Sequence, residues 1–385
     1  MRNESKQQII SNYLFVIPYI LFICQQGISN TTFSKFIHLY GWPLYLILII
    51  SILCVLLKNF FDNTFSAIPI FCLLIFSFSF ILSYRNSNSI NIIMLLILFW
   101  LSNKINLETV VKCHFYTYLT ITLLAMACSF VGIIDNYTVF STTRGILRYS
   151  LGNTYPTDFS AGVMYLILDF CYLNRRSWRY RYTLTIILIS IFVVAFTKAY
   201  TSFIFAILIA IIMLFSNTSK KASDVLKYVN FLSFIVLPII SVNISAKYFQ
   251  NRSSLLFLIN RLLDNRLIYG NLAINRYGVT LFGNHVDMVG AGWGTNTNLL
   301  NTYSYIDNGY LQLLLINGIL VCGIICFCFA IFSLNVKSNT LSWILLVIAI
   351  SSIVEPRFFY VQYDPFIIGI AILIYNYKSK GESAF

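Results

Sequence analysis

Two arginines and a polar turn interrupt a long apolar sequence in the stretch "RGILRYSLGNTYPTDFSAG". Arg144 and Arg148 are four residues apart, and Gly152, Pro156 and Asp158 follow them. The guanidinium of arginine is always charged, and its planar fork binds phosphate oxygens through two parallel hydrogen bonds. The pattern therefore predicts an anion-binding element in which the glycine and the proline shape the turn that presents it.

A second group of arginines follows farther along the chain, at Arg252, Arg261, Arg266, Arg276 and Arg357. Contact with lipid headgroups or pairing with nearby acids explains any one of them alone. Two groups in separate segments favour one shared anion site, provided that the fold brings them together. Within the second group we expect Arg266 and Arg261 in that site first, and Arg276 after them.

Acid–base chemistry at such a site would need a base, and the candidates are Asp307, His285, Asp287 and Glu355. Each candidate has a structural alternative. His285 is equally compatible with a solvent-facing role, Glu355 with a local ion pair to Arg357 in "EPRFF", and Asp307 with balancing the charge of nearby arginines.

Two other acids receive structural interpretations. Asp158 stands at the beginning of an apolar segment, where a carboxylate commonly caps a helix. Asp169 lies close to the basic segment "NRRSWRYR", with which we expect it to pair.

The segments that must position these residues are apolar. The 385-residue chain is 58% hydrophobic and 10% charged, whereas a soluble domain carries about 25% charged residues. We therefore predict an all-α polytopic membrane protein with one integral membrane domain over residues 1–385. A spanning helix needs roughly 20 apolar residues, and twelve segments are candidates: 9–26, 42–58, 64–83, 88–102, 110–133, 157–174, 181–198, 199–216, 226–246, 308–333, 340–354 and 361–378.

Lysine and arginine predict the orientation, because they are enriched in cytoplasmic loops. With a cytoplasmic N-terminus, fifteen of the 26 Lys and Arg residues fall on the cytoplasmic side, mostly in short loops. The other eleven fall outside and are concentrated in two loops, 134–156 and 247–307. Both termini are then cytoplasmic, and the two large extracytoplasmic loops are the predicted functional ones.

The second of these loops is predicted to contain a helix. Its apolar residues recur at helical spacing, at Leu255, Leu258, Ile259, Leu262 and Leu263. Such a stripe is typical of an amphipathic helix that lies on a membrane surface. The glycine-rich sequence "LFGNHVDMVGAGWGTN" follows and allows tight turns over a site.

The sequence predicts no metal, cofactor or nucleotide. The nine cysteines lie in apolar segments, which also argues against disulfides, and the three histidines are scattered at positions 38, 114 and 285. No Gly-rich phosphate loop is present. The aromatic content of 17% suits membrane interfaces and also a carbohydrate-binding surface.

Three short motifs resemble those of Gram-positive Wzy-type polysaccharide polymerases, of the O-antigen ligase-like superfamily. "RYSLGNTYPTDFSAG" resembles an Arg followed by "LG-hPN-F", with Thr157 where that pattern has Asn. "INRLLDNRLIYGNLAINRYGVTLFG" resembles an "N-x-LL-x-x-R" run that leads to "YG-x-x-LFG". "YIDNGYLQLLLINGI" resembles "DN-x-Y-x-x-LL-x-x-G". The layout of about twelve spans with two large outer loops is also similar.

The resemblance implies a fold similar to that of the membrane glycosyltransferases that use lipid-linked donors (GT-C-like). It implies a metal-free repeat-unit polymerase of O-antigen, capsule or exopolysaccharide in a bacterial cytoplasmic membrane. The enzyme would transfer a growing glycan from undecaprenyl diphosphate to the non-reducing end of a lipid-linked repeat. Its partners would be that lipid-linked oligosaccharide, the bilayer and a chain-length regulator, with no nucleic acid.

The resemblance also assigns site residues. Those implied to bind diphosphate or substrate are Arg144, Arg148, Arg261, Arg266, Arg276, Arg357, Asn308 and Tyr310. Related ligases carry a His where this chain has Asp307, so a ligase is disfavoured, and the base stays open among Asp307, His285 and Glu355.

Three other functions compete with polymerisation. A ligase would differ only in its acceptor. A flippase or another transporter would carry ionisable groups at mid-membrane and often internal repeats, whereas the charges here stand almost entirely at the ends of the predicted spans. A membrane O-acyltransferase would need a reactive His or Ser in a motif, and none is evident.

Overall fold

The computed structural model describes residues 2–62, 67–141, 145–216, 223–249, 254–290 and 304–376. Within these ranges the chain is mostly helical. The helices are α1 (Arg2–Ser29), α2 (Trp42–Asp62), α3 (Ala67–Ser87), α4 (Ile90–Leu101), α5 (Leu107–Val131), α6 (Pro156–Leu173), α7 (Tyr180–Thr197), α8 (Tyr200–Ser216), α9 (Asp224–Ala246), α10 (Ser254–Leu262), α11 (Arg266–Tyr277), α12 (Gly309–Asn335), α13 (Asn339–Ser351) and α14 (Ile368–Asn376).

A helix lies at each of the twelve predicted apolar segments. Seven described helices are long and apolar enough to cross a membrane, namely α2, α3, α5, α7, α9, α12 and the part of α1 from Gln7 to Ser29. Four shorter apolar helices accompany them. This architecture agrees with the predicted all-α membrane protein, and the number of spans stays a prediction.

Polar residues gather at the two ends of the helical bundle. At one end of α6, Arg175 Nη2 lies 3.2 Å from the Glu108 carboxylate at the start of α5. At the other end, the Thr154 backbone N–H donates to the Asn30 carbonyl, 2.9 Å away. The first end consists of segments predicted to be cytoplasmic, and the second consists of segments predicted to be outside. We therefore call them the inner end and the outer end.

The first outer loop contains a β-hairpin that the sequence analysis did not predict. Strands β1 (Thr138–Ser141) and β2 (Ile146–Tyr149) pair antiparallel. The chain then turns at Gly152, which has a φ of +87°. A Cβ atom there would lie 2.4 Å from the Ala125 carbonyl oxygen, so only glycine fits. The predicted turn therefore packs tightly on α5.

The second outer loop contains the predicted surface helix as α10, followed by α11, which was not predicted. Beyond α11 the chain reaches a break in α12, where Gly318 has a φ of 86° and a ψ of 170°. The Ile319 N–H donates to the Thr280 carbonyl across this break, at 3.0 Å. A Cβ on Gly318 would lie 2.3 Å from the Gly283 nitrogen. A Cβ on Gly283, the glycine of "LFG", would lie 1.9 Å from the Ile316 carbonyl oxygen. The two glycines thus allow the loop to dock into the interrupted helix.

The segment between α13 and α14 differs from the prediction. Residues 352–364 are not helical and are almost entirely buried, and a short 3₁₀ helix, Pro365–Ile367, precedes α14. The predicted span 361–378 therefore becomes helical only from Pro365. Proline restricts helical geometry, and Pro356 and Pro365 stand in this segment. Non-helical backbone of this kind is tolerated at membrane depth only where protein surrounds it.

Candidate functional site at the outer end

A small recess at the outer end joins residues from both outer loops. Its volume is about 40 Å³, enough for a few small groups but not for a whole sugar chain. It is lined by Arg148, Thr157, Lys198, Ala199, Tyr200, Thr201, Leu263, Asp264 and Arg266. The structure therefore brings together Arg148 from the first predicted loop and Arg266 from the second.

The Arg148 side chain is held in place by a hydrogen bond to a backbone carbonyl. It lies on β2, and its Nε donates to the Thr197 carbonyl at the C-terminal end of α7, at 2.9 Å. Lys198 follows in the left-handed conformation with a φ of 51° and turns the chain into α8. A cation near a helix C-terminus is favoured by the helix dipole. Both cations are thus fixed at the same helix end.

Arg266 begins α11 after a strained turn. Asp264 and Asn265 have φ values of 52° and 65°, a conformation that non-glycine residues adopt infrequently. The Asn260 side chain stabilises the turn, because its Oδ1 accepts the Leu267 N–H at 3.1 Å. Backbone strain of this kind persists where surrounding structure imposes it and is concentrated at functional sites.

A buried ion-pair network lies directly beneath the recess. The Arg357 guanidinium bridges the carboxylates of Glu355 and Asp158, and its side chain is 4% exposed. Thr201 connects this network to the recess, since it lines the recess and its Oγ1 donates to Glu355 Oε1 at 2.9 Å. Thr154 lies on the other side, with its Oγ1 at 3.4 Å from Asp158 Oδ2. The floor of the recess is therefore preorganised.

The charges around the recess are mainly positive. Three cations, Arg148, Lys198 and Arg266, and one acid, Asp264, belong to its lining. Asp307 lies beside it, with its Oδ2 at 4.0 Å from Arg266 Nε, and the Asp307 side chain is 18% exposed. Cations fixed around a small recess are an arrangement that suits phosphate oxygens.

Tyrosines that were not among the predicted site residues surround the network. The rings of Tyr155 and Tyr305 lie 6.4 Å apart, and the Arg357 guanidinium lies 5.6 Å from the Tyr363 ring. Burial raises the pKa of Tyr305 well above its ordinary value, so its phenol stays protonated and able to donate a hydrogen bond. The available signal was the cluster of tyrosines at 303, 305, 360 and 363.

Several predicted residues lie elsewhere. Arg261 and Arg276 are exposed and do not line the recess, and Arg276 lies over the Tyr277 ring at 5.2 Å. His285 contacts the Ser87 carbonyl through Nδ1 at 3.1 Å, and its Nε2 lies 3.2 Å from Asp287. Its exposed side chain does not line the recess either. Arg144 and Arg252 lie outside the described residues.

Asn308 and Tyr310, which the resemblance assigned to substrate, make hydrogen bonds inside the protein. Asn308 caps α12, where its Oδ1 accepts the Leu311 N–H at 3.0 Å. The Tyr310 hydroxyl donates to the Ala349 carbonyl at 2.7 Å. Both side chains are buried inside the bundle, and the Asn308 Oδ1 and the Tyr310 hydroxyl are engaged by the protein.

The interpretations of Asp158 and Asp169 are corrected. The N-cap residue of α6 is Tyr155, and Asp158 in the first turn binds Arg357. Asp169 does not pair with the basic segment after α6. Its carboxylate lies 2.5 Å from His114 Nδ1, and neither side chain is exposed. Because α5 and α6 pack side by side, a histidine distant in sequence is the nearer partner.

The described ranges contain no group of three or more His, Cys, Asp or Glu side chains placed to hold a metal ion. All nine cysteines are free.

Comparison of the chain with known protein families, with curated proteins and with solved structures finds no match.

Proposed function

We propose that the chain is a membrane glycosyltransferase that polymerises lipid-linked oligosaccharide repeats at the outer face of a bacterial cytoplasmic membrane. One observation carries the proposal: Arg148 and Arg266, from two separate loops, line the same recess. Their guanidinium groups can bind a diphosphate in bidentate fashion. Preorganised donors of this kind stabilise the charge that develops on a departing diphosphate.

In the proposed reaction a hydroxyl oxygen of the incoming repeat attacks the anomeric carbon of the growing glycan. The bond from that carbon to undecaprenyl diphosphate breaks, and the diphosphate keeps the electron pair. Arg148, Lys198 and Arg266 would neutralise its charge. The hydroxyl proton would pass to Asp307, a carboxylate that is partly exposed beside the recess.

Glu355 has a different proposed role from Asp307. Its side chain is 1% exposed, and Arg357 and Thr201 bind its two carboxylate oxygens. A substrate hydroxyl cannot reach this carboxylate directly. We therefore assign Glu355 and Arg357 as positioning residues that fix Thr201 at the floor of the recess.

An apolar groove supports a donor with a lipid tail. It has a volume of about 430 Å³ and runs between α5, α6 and α7. The groove and the recess are lined by neighbouring parts of α6, because Phe159 in the groove follows Thr157 of the recess by two residues. Val193 in the groove lies about one helical turn before Thr197, which binds Arg148. A prenyl chain in this groove would leave its diphosphate near Arg148.

A flippase is the second candidate, because the structure places the ionisable pair His114 and Asp169 deep inside the bundle. Buried ionisable residues in membrane proteins frequently mark transport pathways. The composition of lipid-linked glycans in a strain that lacks the protein separates the two functions. Loss of a polymerase should accumulate single repeats on the carrier at the outer leaflet, whereas loss of a flippase should trap them inside.

The central variant is Arg148→Ala, for which we expect complete loss of long-chain polymer with normal membrane insertion. Arg148→Lys should restore only part of the polymer, since an ammonium lacks the bidentate fork. Arg276→Ala is the matched control, because Arg276 is exposed and does not line the recess. Polymer length on gels, with expression matched by immunoblot, is the measurement. Full-length polymer from Arg148→Ala would refute the assignment.

A further inference from the structure

A buried histidine binds the non-helical segment 352–364 to the helices beside it. His114 on α5 and Asp169 on α6 are both 0% exposed. The His114 Nε2 lies 3.0 Å from the Gln362 carbonyl oxygen, and the Nδ1 lies 2.5 Å from Asp169 Oδ2. One imidazole ring therefore joins two helices to the segment that carries part of the ion-pair network beneath the recess.

The contacts of the two ring nitrogens fix their hydrogen-bond roles. A carbonyl oxygen only accepts, so the His114 Nε2 carries a proton and donates it to Gln362. The contact between Nδ1 and Asp169 holds one further proton, and the pair as a whole then carries no net charge. Asp169 Oδ1 has no hydrogen-bond partner within the described residues, so His114 is the group that this carboxylate binds. The carboxylate thereby sets the orientation of the ring.

The carbonyl that His114 binds belongs to a pair of tight turns that begins at Arg357. The Tyr360 N–H donates to the Arg357 carbonyl at 3.1 Å, and the Tyr363 N–H donates to the Tyr360 carbonyl at 2.9 Å. Gln362 lies inside the second turn, and its carbonyl accepts from His114 on another element. The histidine therefore anchors these turns from outside the segment.

The side chain next to that carbonyl, Tyr363, connects the anchor to the ion-pair network. The Arg357 guanidinium lies 5.6 Å from the centre of the Tyr363 ring, within the range of a cation–π contact. The same ring meets the Tyr118 ring edge-on at 5.7 Å, and Tyr118 stacks on His114 at 5.5 Å. His114 thus reaches Tyr363 by two routes, through the Gln362 backbone and through the Tyr118 ring.

The two tyrosine rings are also held by neighbouring elements. A Cβ on Gly162 of α6 would lie 2.5 Å from the Tyr118 hydroxyl oxygen, so a larger residue there would displace the ring. The Tyr363 hydroxyl accepts from the Asn30 side chain at 3.4 Å. The Asn30 carbonyl in turn accepts the Thr154 N–H at 2.9 Å. The packing therefore leaves little freedom to the rings that lie between His114 and the ion-pair network.

We propose that His114, oriented by Asp169, is a positioning residue that fixes segment 352–364 so that Arg357 meets its two carboxylates. A buried ionic pair is costly to desolvate, and well-packed apolar residues of the same volume are often at least as stable. Stability alone therefore does not account for the pair, whereas the hydrogen bond that it directs at the Gln362 carbonyl does. The effect on rate rests on the proposed polymerase function, and the anchoring of the segment does not.

The anchoring is tested by hydrogen–deuterium exchange of the purified full-length protein in detergent, read by mass spectrometry over residues 352–364. His114→Leu removes the donor to the Gln362 carbonyl, so the amides of this segment should exchange at least about fivefold faster. The matched control is Asn230→Leu, because the buried Asn230 donates to the Ser342 carbonyl at 2.8 Å. The control should leave exchange in this segment unchanged. Unchanged exchange in His114→Leu would overturn the proposal, whatever the activity of the protein.

The effect on rate is tested by polymer growth per amount of folded protein. We expect the kcat of His114→Leu to fall roughly 10²-fold, as a small misplacement of a site can cause, with KM little changed and with normal kcat in Asn230→Leu. Thr201→Ala interrupts the same connection at the recess, so the double variant should be no slower than His114→Leu alone. Effects that multiply would overturn the positioning role. Wild-type protein without polymerase activity, together with faster exchange in His114→Leu, would refute the proposed function and support the anchor.

Two further variants keep the test decisive if His114→Leu does not fold. Tyr363→Leu removes the ring that contacts Arg357 and should lower kcat, so a normal kcat would overturn the proposal. In Asp169→Asn the new amide can donate to Nδ1 of a neutral imidazole, whose Nε2 proton still faces the Gln362 carbonyl. Exchange and rate should then stay close to those of the wild type. A proton pathway through the pair would need the carboxylate, so loss of activity with unchanged exchange in Asp169→Asn would overturn the positioning role.

Discussion

Two buried ion-pair networks lie at opposite ends of the molecule and look alike at first. The outer network comprises Asp158, Glu355 and Arg357, and the inner pair comprises Lys58 and Asp62. In the inner pair the side chains are 1% and 3% exposed. In the outer network Arg357 and Glu355 are 4% and 1% exposed. Burial therefore does not distinguish the two.

The two networks differ in the elements that they connect. Lys58 and Asp62 are four residues apart on α2, and Lys58 Nζ donates to the Ser11 carbonyl at 3.0 Å. The outer network joins α6 to the segment after α13 and contacts the recess through Thr201. The burial of a charge alone therefore does not mark a candidate site, and only the outer network contacts a recess. The inner pair serves as an internal control for every test of the outer network.

The largest expected effect comes from Arg357→Met. It leaves the buried Glu355 and the partly buried Asp158 without their cation, and breaking a buried pair costs about 3–5 kcal/mol. We expect a large fall in Tm together with loss of polymer. Lys58→Met should also lower the Tm, but the protein that remains folded should polymerise normally. Normal polymer from Arg357→Met, or none from folded Lys58→Met, would remove the distinction between the two networks.

Asp307→Asn should leave folding and substrate binding intact and slow polymerisation by roughly 10²–10⁴-fold, the usual contribution of a general base. The measurement is a time course of polymer growth on isolated membranes, with expression matched by immunoblot. The control is Asp287→Asn, an exposed carboxylate that pairs with His285. A near-normal polymerisation rate for Asp307→Asn would exclude Asp307 as the base. Its remaining role would be to balance the charge of Arg266.

A smaller effect is expected from Thr201→Ala. It removes the shorter of two hydroxyl hydrogen bonds to Glu355 Oε1, the other coming from Ser202, and a hydrogen bond to a charged group contributes about 1.5–3 kcal/mol. Ser11→Ala removes a hydroxyl that binds Lys58 at the inner pair. Both variants should lower the Tm. Only Thr201→Ala should also slow polymerisation, by about tenfold, which corresponds to roughly 1.4 kcal/mol in the barrier. Equal polymerisation rates for Thr201→Ala and Ser11→Ala would show that Thr201 has no positioning role in the recess.

The smallest expected effect is that of EDTA. The arginines and Lys198 supply the positive charge in the proposed reaction, and the described part of the chain offers no three-ligand metal group. Purified protein in excess EDTA should therefore keep its polymerising activity. A loss that Mg²⁺ or Mn²⁺ restores would contradict the proposed arginine mechanism.

The sequence predicted the positions of the helices well, because length and apolarity are local properties. Trp42–Asp62 and Asp224–Ala246, for example, lie within a few residues of the predicted 42–58 and 226–246. Residues 352–354 and 361–364 were wrongly placed in helices, since an apolar window does not distinguish a helix from buried irregular chain. Pro356 and Pro365 were the available signal.

The sequence predicted the residue types of the candidate site, and it predicted only part of their positions in the fold. Arginine chemistry singled out Arg148 and Arg266, and their meeting in one recess depends on how α7, α8 and α11 pack. The pair of His114 and Asp169 was missed because the two residues are 55 positions apart. A contact of that kind depends on helix packing, which no periodicity in the sequence encodes.

The last two helices carry a consequence for how the protein is made. Within the described residues, helix α13 has 13 residues and α14 has 9, whereas a helix that crosses the bilayer alone needs roughly 20. Neither would be retained firmly as it leaves the translocation channel. The final pair should therefore enter the membrane together as a hairpin, after the earlier helices are in place to receive it. The C-terminal part of the chain would then be assembled by its own N-terminal part, and truncation near the N-terminus should impair insertion of the C-terminus.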